Sequence, residues 1–177
     1  MARIGALFFA FFAFLVSFVA AVPAAIENRD LIGDVVNLLG VGFVESINAY
    51  ITIDSLTTNL ISIDFDIKNL LLVELTITRV VSSAGVNGTE YAKFDHTFEK
   101  PVVVGPLKTV NSGNVPDVLL TQGAIASLDI IPLKKLDLLS TDVYVRAATI
   151  KGKLGIPISL KGLKQKDVPT EYTLQLF

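Results

Sequence analysis

The 177-residue chain has no cysteine, no tryptophan and a single histidine. Without cysteine there is no thiol nucleophile, thiolate metal ligand or disulfide, so burial alone must hold the fold. A Ser-His-Asp triad would have to use His96, but Asp95 beside it faces the other side of a strand and cannot orient the imidazole ring. One histidine without cysteine leaves only carboxylates as metal ligands. We therefore expect a non-enzymatic protein with no catalytic residues, no metal site and no cofactor.

The chain also lacks a strong charge of either sign, with a formal net charge of −2. Acidic residues outnumber basic ones between positions 27 and 100, and basic residues outnumber acidic ones from position 101 onward. The lysines between Lys151 and Lys166 make the second half weakly basic. Nucleic acid binding requires a concentrated basic face, which this pattern does not provide. A nucleic acid partner is therefore not expected.

The N-terminal segment is nearly all Phe, Ala, Leu and Val, and Arg3 is the only charged residue before Glu27. A short basic start, an apolar run and small residues at its end are typical of a secretory signal peptide. The predicted peptide comprises residues 1–21, with cleavage after Ala21 or as late as Ala25, and it implies a secreted or vacuolar protein. The run is also long enough to span a bilayer, so an uncleaved membrane anchor is the alternative.

Residues 26–42 carry apolar side chains near helical spacing and end in glycines, which predicts a short amphipathic helix. The apolar positions are Leu31, Val35, Leu38 and Leu39. This face could pack on the rest of the domain. Alternatively, it could lie against a partner protein, a membrane surface or an apolar ligand.

From residue 46 to residue 177 the apolar pattern has a period of two, as expected for half-buried β-strands. The clearest strand is Ile61–Lys68, which Asn69 interrupts. Its outward carboxylates, Asp64 and Asp66, could share a surface with Glu74. Paired carboxylates can bind calcium or cleave glycosides, but a straight strand does not make oxygens converge, so this pattern favours a solvated outer face.

The Asn87-Gly88 pair predicts a hairpin in which Leu71–Ser82 pairs with Thr89–Glu99 and Pro101 ends the returning arm. Asn87-Gly88-Thr89 is also a sequon, so Asn87 is a candidate N-glycosylation site at the hairpin tip.

The remaining segments predict further short strands and no alternation of strands with helices. The strands are Tyr50–Asp54, Val102–Val110, Pro116–Thr121, Thr141–Lys151, Leu154–Leu160 and Tyr172–Leu176, with a helical turn at Gln122–Leu128 and a lysine-rich loop at Lys161–Asp167. About seven strands in succession predict an all-β fold, an antiparallel β-sandwich. A closed barrel is the alternative that fits the same pattern.

Three stretches carry a family resemblance: ISIDFDIKNLLLVELTITRV, GVNGTEYAKF and TDVYVRAATIKGKLGIPISL. Together they resemble the late embryogenesis abundant type 2 domains, which are related to the water-stress and hypersensitive-response module. In that family a strand ends at an Asn-Pro pair; here Asn69 matches the asparagine, and Leu70 replaces the proline. The resemblance implies an immunoglobulin-like, fibronectin III-like sandwich with a non-enzymatic role in stress protection. The family includes members that are attached to membranes or handle lipid. The leader and the overall composition are similar to those of small secreted or vacuolar fungal proteins.

Two functional hypotheses follow. In the first, the protein is a structural or protective module that binds proteins or surfaces. In the second, it carries a lipid or another apolar ligand in a groove between the sheets, gated by the Leu31–Leu39 helix. A secreted effector is a third alternative.

Overall fold

The computed structural model describes residues 42–175, which form an all-β protein with three short helical segments. The strands are β1 Val44–Thr52, β2 Leu60–Lys68, β3 Leu75–Val86, β4 Thr89–Val104, β5 Thr109–Asn111, β6 Val115–Leu120, β7 Lys135–Ala147 and β8 Ile156–Gln175. The helical segments are α1 Ser55–Thr58, α2 Ala124–Ser127 and a 3₁₀ helix at Leu128–Leu133. The predicted signal peptide (1–21) and almost all of the predicted helix (26–42), including Leu31, Val35, Leu38 and Leu39, lie outside the described residues.

The strands close into a seven-stranded barrel, so the predicted immunoglobulin-like sandwich is wrong. Hydrogen bonding runs in the order β1-β8-β7-β3-β4-β6-β2, and β2 pairs again with β1 to complete the ring. β5 extends the sheet beside the end of β2. An alternating strand pattern is the same in a sandwich and in a barrel. The difference lies in which distant strands pair, and the pattern carries no information on that.

The ring closes through the pairing of β1 with β8, in which Ile47–Thr52 runs parallel to Thr170–Gln175. All other strand pairs are antiparallel. β8 is continuous across Lys161–Asp167, where a loop was expected. Irregularities in its register with β7 shift the inward positions along this stretch, which explains why the apolar alternation is not visible in the sequence.

The predicted hairpin is confirmed, although its first arm begins at Leu75 rather than at Leu71. Val86 pairs with Thr89 across Asn87 and Gly88, both of which have positive φ, as a two-residue type I′ turn requires. β4 continues beyond Pro101, so the prediction that this proline ends the arm is wrong. The register of β4 against β3 jumps between Thr97 and Val102, a stretch that contains Pro101, and such a bulge accommodates a residue that cannot donate a backbone hydrogen bond.

The barrel interior forms the core, and β2 shows how the sequence builds it. The inward residues Ile61, Ile63, Phe65 and Ile67 are all buried, and the alternate residues face outward, as predicted. Matching inward positions on the other strands complete the core, among them Ile77 and Val145.

The two ends of the barrel differ. At one end, named the loop end, lie the connections 69–74, 105–108 and 148–155 and the start of β1. At the opposite end, named the helix end, lie the helical segments and the β3–β4 turn. No helix within residues 42–175 is both long and apolar enough to cross a membrane.

A candidate ligand cavity inside the barrel

The barrel interior contains a partly open cavity of about 110 Å³. All seven strands of the ring contribute to its lining, and Ser127 and Ile130 contribute from the helix end. A barrel of about eight strands has an interior that side chains just fill or that holds one small ligand, so the dimensions of this ring suit either outcome. The choice between them depends on the size of the inward side chains.

Small residues at inward positions leave this space unfilled. Ala49 on β1, Ala84 and Ser82 on β3, and Ala92 on β4 all line the cavity. Ala49 lies between strand neighbours Ile63 and Tyr172 and is almost fully buried. Alternation identifies such positions as inward, but the remaining volume depends on how all the strands pack together.

The lining is largely apolar, and most of its polar groups bond to one another or to the backbone. The Ser82 and Thr141 hydroxyls form a buried hydrogen bond of 2.7 Å. Gln165 holds the start of β1: its Oε1 accepts hydrogen bonds from the backbone N–H groups of Phe43 (3.0 Å) and Val44 (3.1 Å), and its Nε2 donates to the Val44 carbonyl. These groups are already satisfied without a ligand.

Tyr172 is the exception among the described residues. Its side chain lines the cavity, and its hydroxyl oxygen is buried without a hydrogen-bond partner in residues 42–175. Burial raises the pKa of the Tyr172 phenol to about 12, so the hydroxyl keeps its proton at neutral pH. A buried phenol normally finds a partner, because leaving a donor unsatisfied costs about 1–3 kcal/mol. Within residues 42–175 the Tyr172 hydroxyl is thus the one buried side-chain polar atom left without a partner.

Asn69, where the strand break was predicted, is a buried structural residue rather than part of the cavity lining. Its Nδ2 group donates to the carbonyls of Val73 (2.7 Å), Val104 (3.0 Å) and Gly105 (3.1 Å). Its Oδ1 accepts from the Leu71 N–H at 2.9 Å. The side chain thus fastens the 69–74 connection to the end of β4.

The three carboxylates expected to share a surface separate into two places. Asp64 and Asp66 lie on the outer face of β2, where the Asn111 side chain donates to both. Glu74 lies at the loop end and accepts hydrogen bonds from the Thr149 hydroxyl and the Gly152 N–H. Within residues 42–175 no cluster of histidine and carboxylate side chains could hold a metal ion.

Asp64 is the most heavily bonded of these carboxylates. It accepts hydrogen bonds from Asn111 and Asn48 at 2.8 Å and from the Tyr50 hydroxyl at 2.7 Å. Partial burial raises the pKa of Asp64, but these three hydrogen bonds outweigh burial and hold the pKa below its usual value. The group is an ionised structural acceptor on the barrel exterior.

The other two candidate residues lie away from the cavity lining. Asn87 is exposed at the β3–β4 turn, as a glycosylation site requires. His96 packs edge-on against the Phe98 ring, with 4.8 Å between ring centroids.

Sequence reasoning did not identify Tyr172 and Gln165 as site residues. Tyr172 continues the inward series of Val168 and Thr170, so alternation alone could have placed it inside. Whether its hydroxyl has a partner depends on which distant strands surround it in the closed barrel, and the local sequence pattern does not show this. Gln165 lies in the stretch that was expected to be a loop.

No family model matches the sequence, and no curated protein matches it. Among solved structures, the chain is similar to a crystal structure of a protein from Archaeoglobus fulgidus, at 13% sequence identity and a TM-score of 0.33. The similarity covers 70% of this chain and 96% of that chain. The resemblance to the late embryogenesis abundant type 2 domains stays a prediction.

Proposed function

We propose that this is a non-enzymatic protein of the secretory pathway whose barrel binds a small apolar ligand. The observation that carries the proposal is the apolar cavity of about 110 Å³ in the barrel interior, whose lining includes Tyr172 with its buried, unpartnered hydroxyl. The signal peptide predicted from the sequence at residues 1–21 supports the secretory part of the proposal. The carrier hypothesis is retained in a changed form, with the ligand inside a closed barrel rather than in a groove between two sheets.

The size of the cavity limits the ligand. A dry apolar cavity of about 150 Å³ in another protein accepts benzene. A cavity of about 110 Å³ therefore suits a molecule of similar or smaller size, or one segment of a longer chain. A whole lipid tail would require the barrel to expand. At most about 1.5 kcal/mol per heavy atom is available to very small ligands, so a six-atom ring would bind no more tightly than roughly micromolar.

The polarity of the cavity limits the ligand further. The Tyr172 hydroxyl is a donor without a partner in residues 42–175, and an apolar surrounding penalises a charged ligand. A neutral molecule with one hydrogen-bond acceptor, such as a ketone, aldehyde or ether, satisfies both conditions. We propose that this is the preferred ligand class.

The experiment is a titration of the protein with benzene, followed by calorimetry and by NMR shifts of the cavity-lining methyl groups. Ala49→Leu places an isopropyl group in the cavity and is expected to abolish binding. Ala126→Leu makes the same change at an exposed position of α2 that does not line the cavity, and it should leave binding intact. Failure of the unmodified protein to bind benzene, or equal binding by the Ala49→Leu variant, would contradict the proposal.

A further inference from the structure

The loop end of the barrel exposes a group of large apolar side chains. Its members, named the loop-end patch, are Leu72, Leu107, Ile150, Leu154 and Ile156, each at least half exposed. Leu154 is 75% exposed and Ile150 is 70% exposed. Isolated surface apolar residues are normal, but a contiguous group marks an interaction site.

Hydrogen bonds join the three connections that carry this patch. The Leu107 N–H donates to the Leu71 carbonyl at 3.2 Å, which links connections 105–108 and 69–74. The Thr149 N–H donates to the Glu74 carbonyl at 3.3 Å, which links 148–155 to 69–74. The patch is therefore a surface with defined neighbours rather than a set of independent loops.

The charges around the patch are mainly positive. Lys108, Lys151 and Lys153 lie on the same connections, are exposed, and form no ion pair with a described residue. The acid on these connections is Glu74, whose carboxylate already accepts hydrogen bonds from Thr149 and Gly152. The loop end thus combines exposed apolar side chains with unpaired cations.

The helix end provides an internal comparison. Ile53 and Ile125 are 60% and 67% exposed there, so apolar exposure is not unique to the loop end. Their connections, 53–59 and 121–134, carry Asp54, Asp129 and Lys134, a net charge of about −1, whereas the three loop-end connections carry a net charge of about +2. Within residues 42–175 the loop end is therefore the end that combines exposed apolar side chains with net positive charge, the two features that favour binding to an anionic membrane surface.

We propose that the loop end docks on an anionic lipid bilayer, with the loop-end patch in the interfacial region and the lysines beside the lipid phosphates. This orientation also agrees with the connectivity of the chain, because β1 starts at the loop end and the segment before residue 42 therefore joins the barrel there. Each lysine near an anionic surface strengthens binding roughly fivefold. The proposal is independent of the cavity ligand.

The absence of tryptophan from the sequence makes a clean fluorescence test possible. Ile150→Trp places a reporter in the patch, and Ile125→Trp places one at a site of matched exposure on the helix end. The full chain is mixed with phosphatidylcholine vesicles that contain about 30% phosphatidylserine and brominated acyl chains. The Ile150→Trp reporter should shift to the blue and be quenched, and the Ile125→Trp reporter should do neither.

A charge test uses the same reporter. Adding Lys151→Gln and Lys153→Gln should raise the vesicle concentration for half-maximal quenching roughly 25-fold, because two cations are lost. Lys93→Gln and Lys134→Gln remove two exposed lysines that lie outside the three connections and should leave that concentration unchanged. Far-UV circular dichroism checks that each variant is folded. If the Ile150→Trp variant does not fold, Leu72→Trp provides a second reporter in the patch.

Three results would overturn the proposal. Equal quenching of both reporters would mean that the leader or non-specific adsorption brings the protein to the vesicle. Vesicle-bound protein with an unquenched Ile150→Trp reporter would place the patch away from the lipid. A blue shift that depends on protein concentration without vesicles would mean that a second copy of the chain covers the patch.

Discussion

Replacing Asn69 by alanine should destabilise the barrel more than any comparable surface change. The side chain is 1% exposed and forms hydrogen bonds with four backbone groups, three carbonyls and one N–H. Its two amide protons and one oxygen sustain about three net hydrogen bonds, each worth about 1 kcal/mol, and the buried groups left behind add a desolvation cost. We expect a loss of about 3–4 kcal/mol, a large fraction of the 5–15 kcal/mol typical of a domain.

Asn111→Ala is the matched control. Asn111 also uses both ends of its amide, donating to Asp64 and Asp66 and accepting from the Gly113 N–H, but it is exposed. Water can replace these bonds, so the expected loss is below about 1 kcal/mol. Comparing the two variants therefore separates the effect of burial on stability from the effect of the number of hydrogen bonds.

Urea unfolding at neutral pH, followed by far-UV circular dichroism, measures both variants. With a slope of about 1.5–2 kcal/mol per molar urea, the Asn69→Ala midpoint should fall by about 2 M with the slope unchanged. A loss below about 1 kcal/mol, or equal losses for the two variants, would refute the argument that Asn69 fastens the 69–74 connection to β4.

Three further predictions concern other residues. Tyr172→Phe removes a buried, unpartnered hydroxyl, so stability should rise by about 1 kcal/mol. Calorimetry of this variant should show that a preference for cyclopentanone over cyclopentane is lost, and an unchanged preference would refute only the role of Tyr172. Because the pKa of Asp64 is lowered in the folded protein, its carboxylate contributes stability above the unfolded pKa of about 3.9, and this stability is lost as the pH falls through the folded pKa. The urea midpoint of Asp64→Asn should therefore decline less between about pH 4 and pH 2 than that of the unsubstituted protein, and an equal decline would contradict this. Secretion from a eukaryotic host should give a glycosidase-sensitive product that Asn87→Gln abolishes, and identical electrophoretic mobility of the two proteins would show that the sequon is unused.

Local features of this fold were predictable from the sequence. The alternation in β2 identified its inward residues because one side of a strand faces the core. The Asn87-Gly88 turn was predictable because few residue pairs tolerate positive φ at both positions. Both signals act over a few residues, and the structure confirms both.

Features that depend on distant strands were not predictable. Barrel closure requires the pairing of β1 with β8, and no local pattern distinguishes it from sandwich packing. β8 itself was divided into two strands because its irregular register interrupts the alternation and its lysines resemble a solvated loop. The volume of the cavity depends on how closely seven strands pack together. The sequence pattern therefore identifies alanines at inward positions but does not predict an unfilled space beside them.

The pairing of β1 with β8 also has a consequence for the order of folding. Ile47 and Thr170 are neighbours in the barrel but lie 123 positions apart in the chain. Contacts over such separations form slowly, because a long loop must close before they contribute any stability. On a ribosome, one edge of β1 stays without this partner until β8 has been synthesised, and during that time it can pair with another chain. Substitutions in Thr170–Gln175 should therefore reduce the yield of folded protein more than they reduce its equilibrium stability.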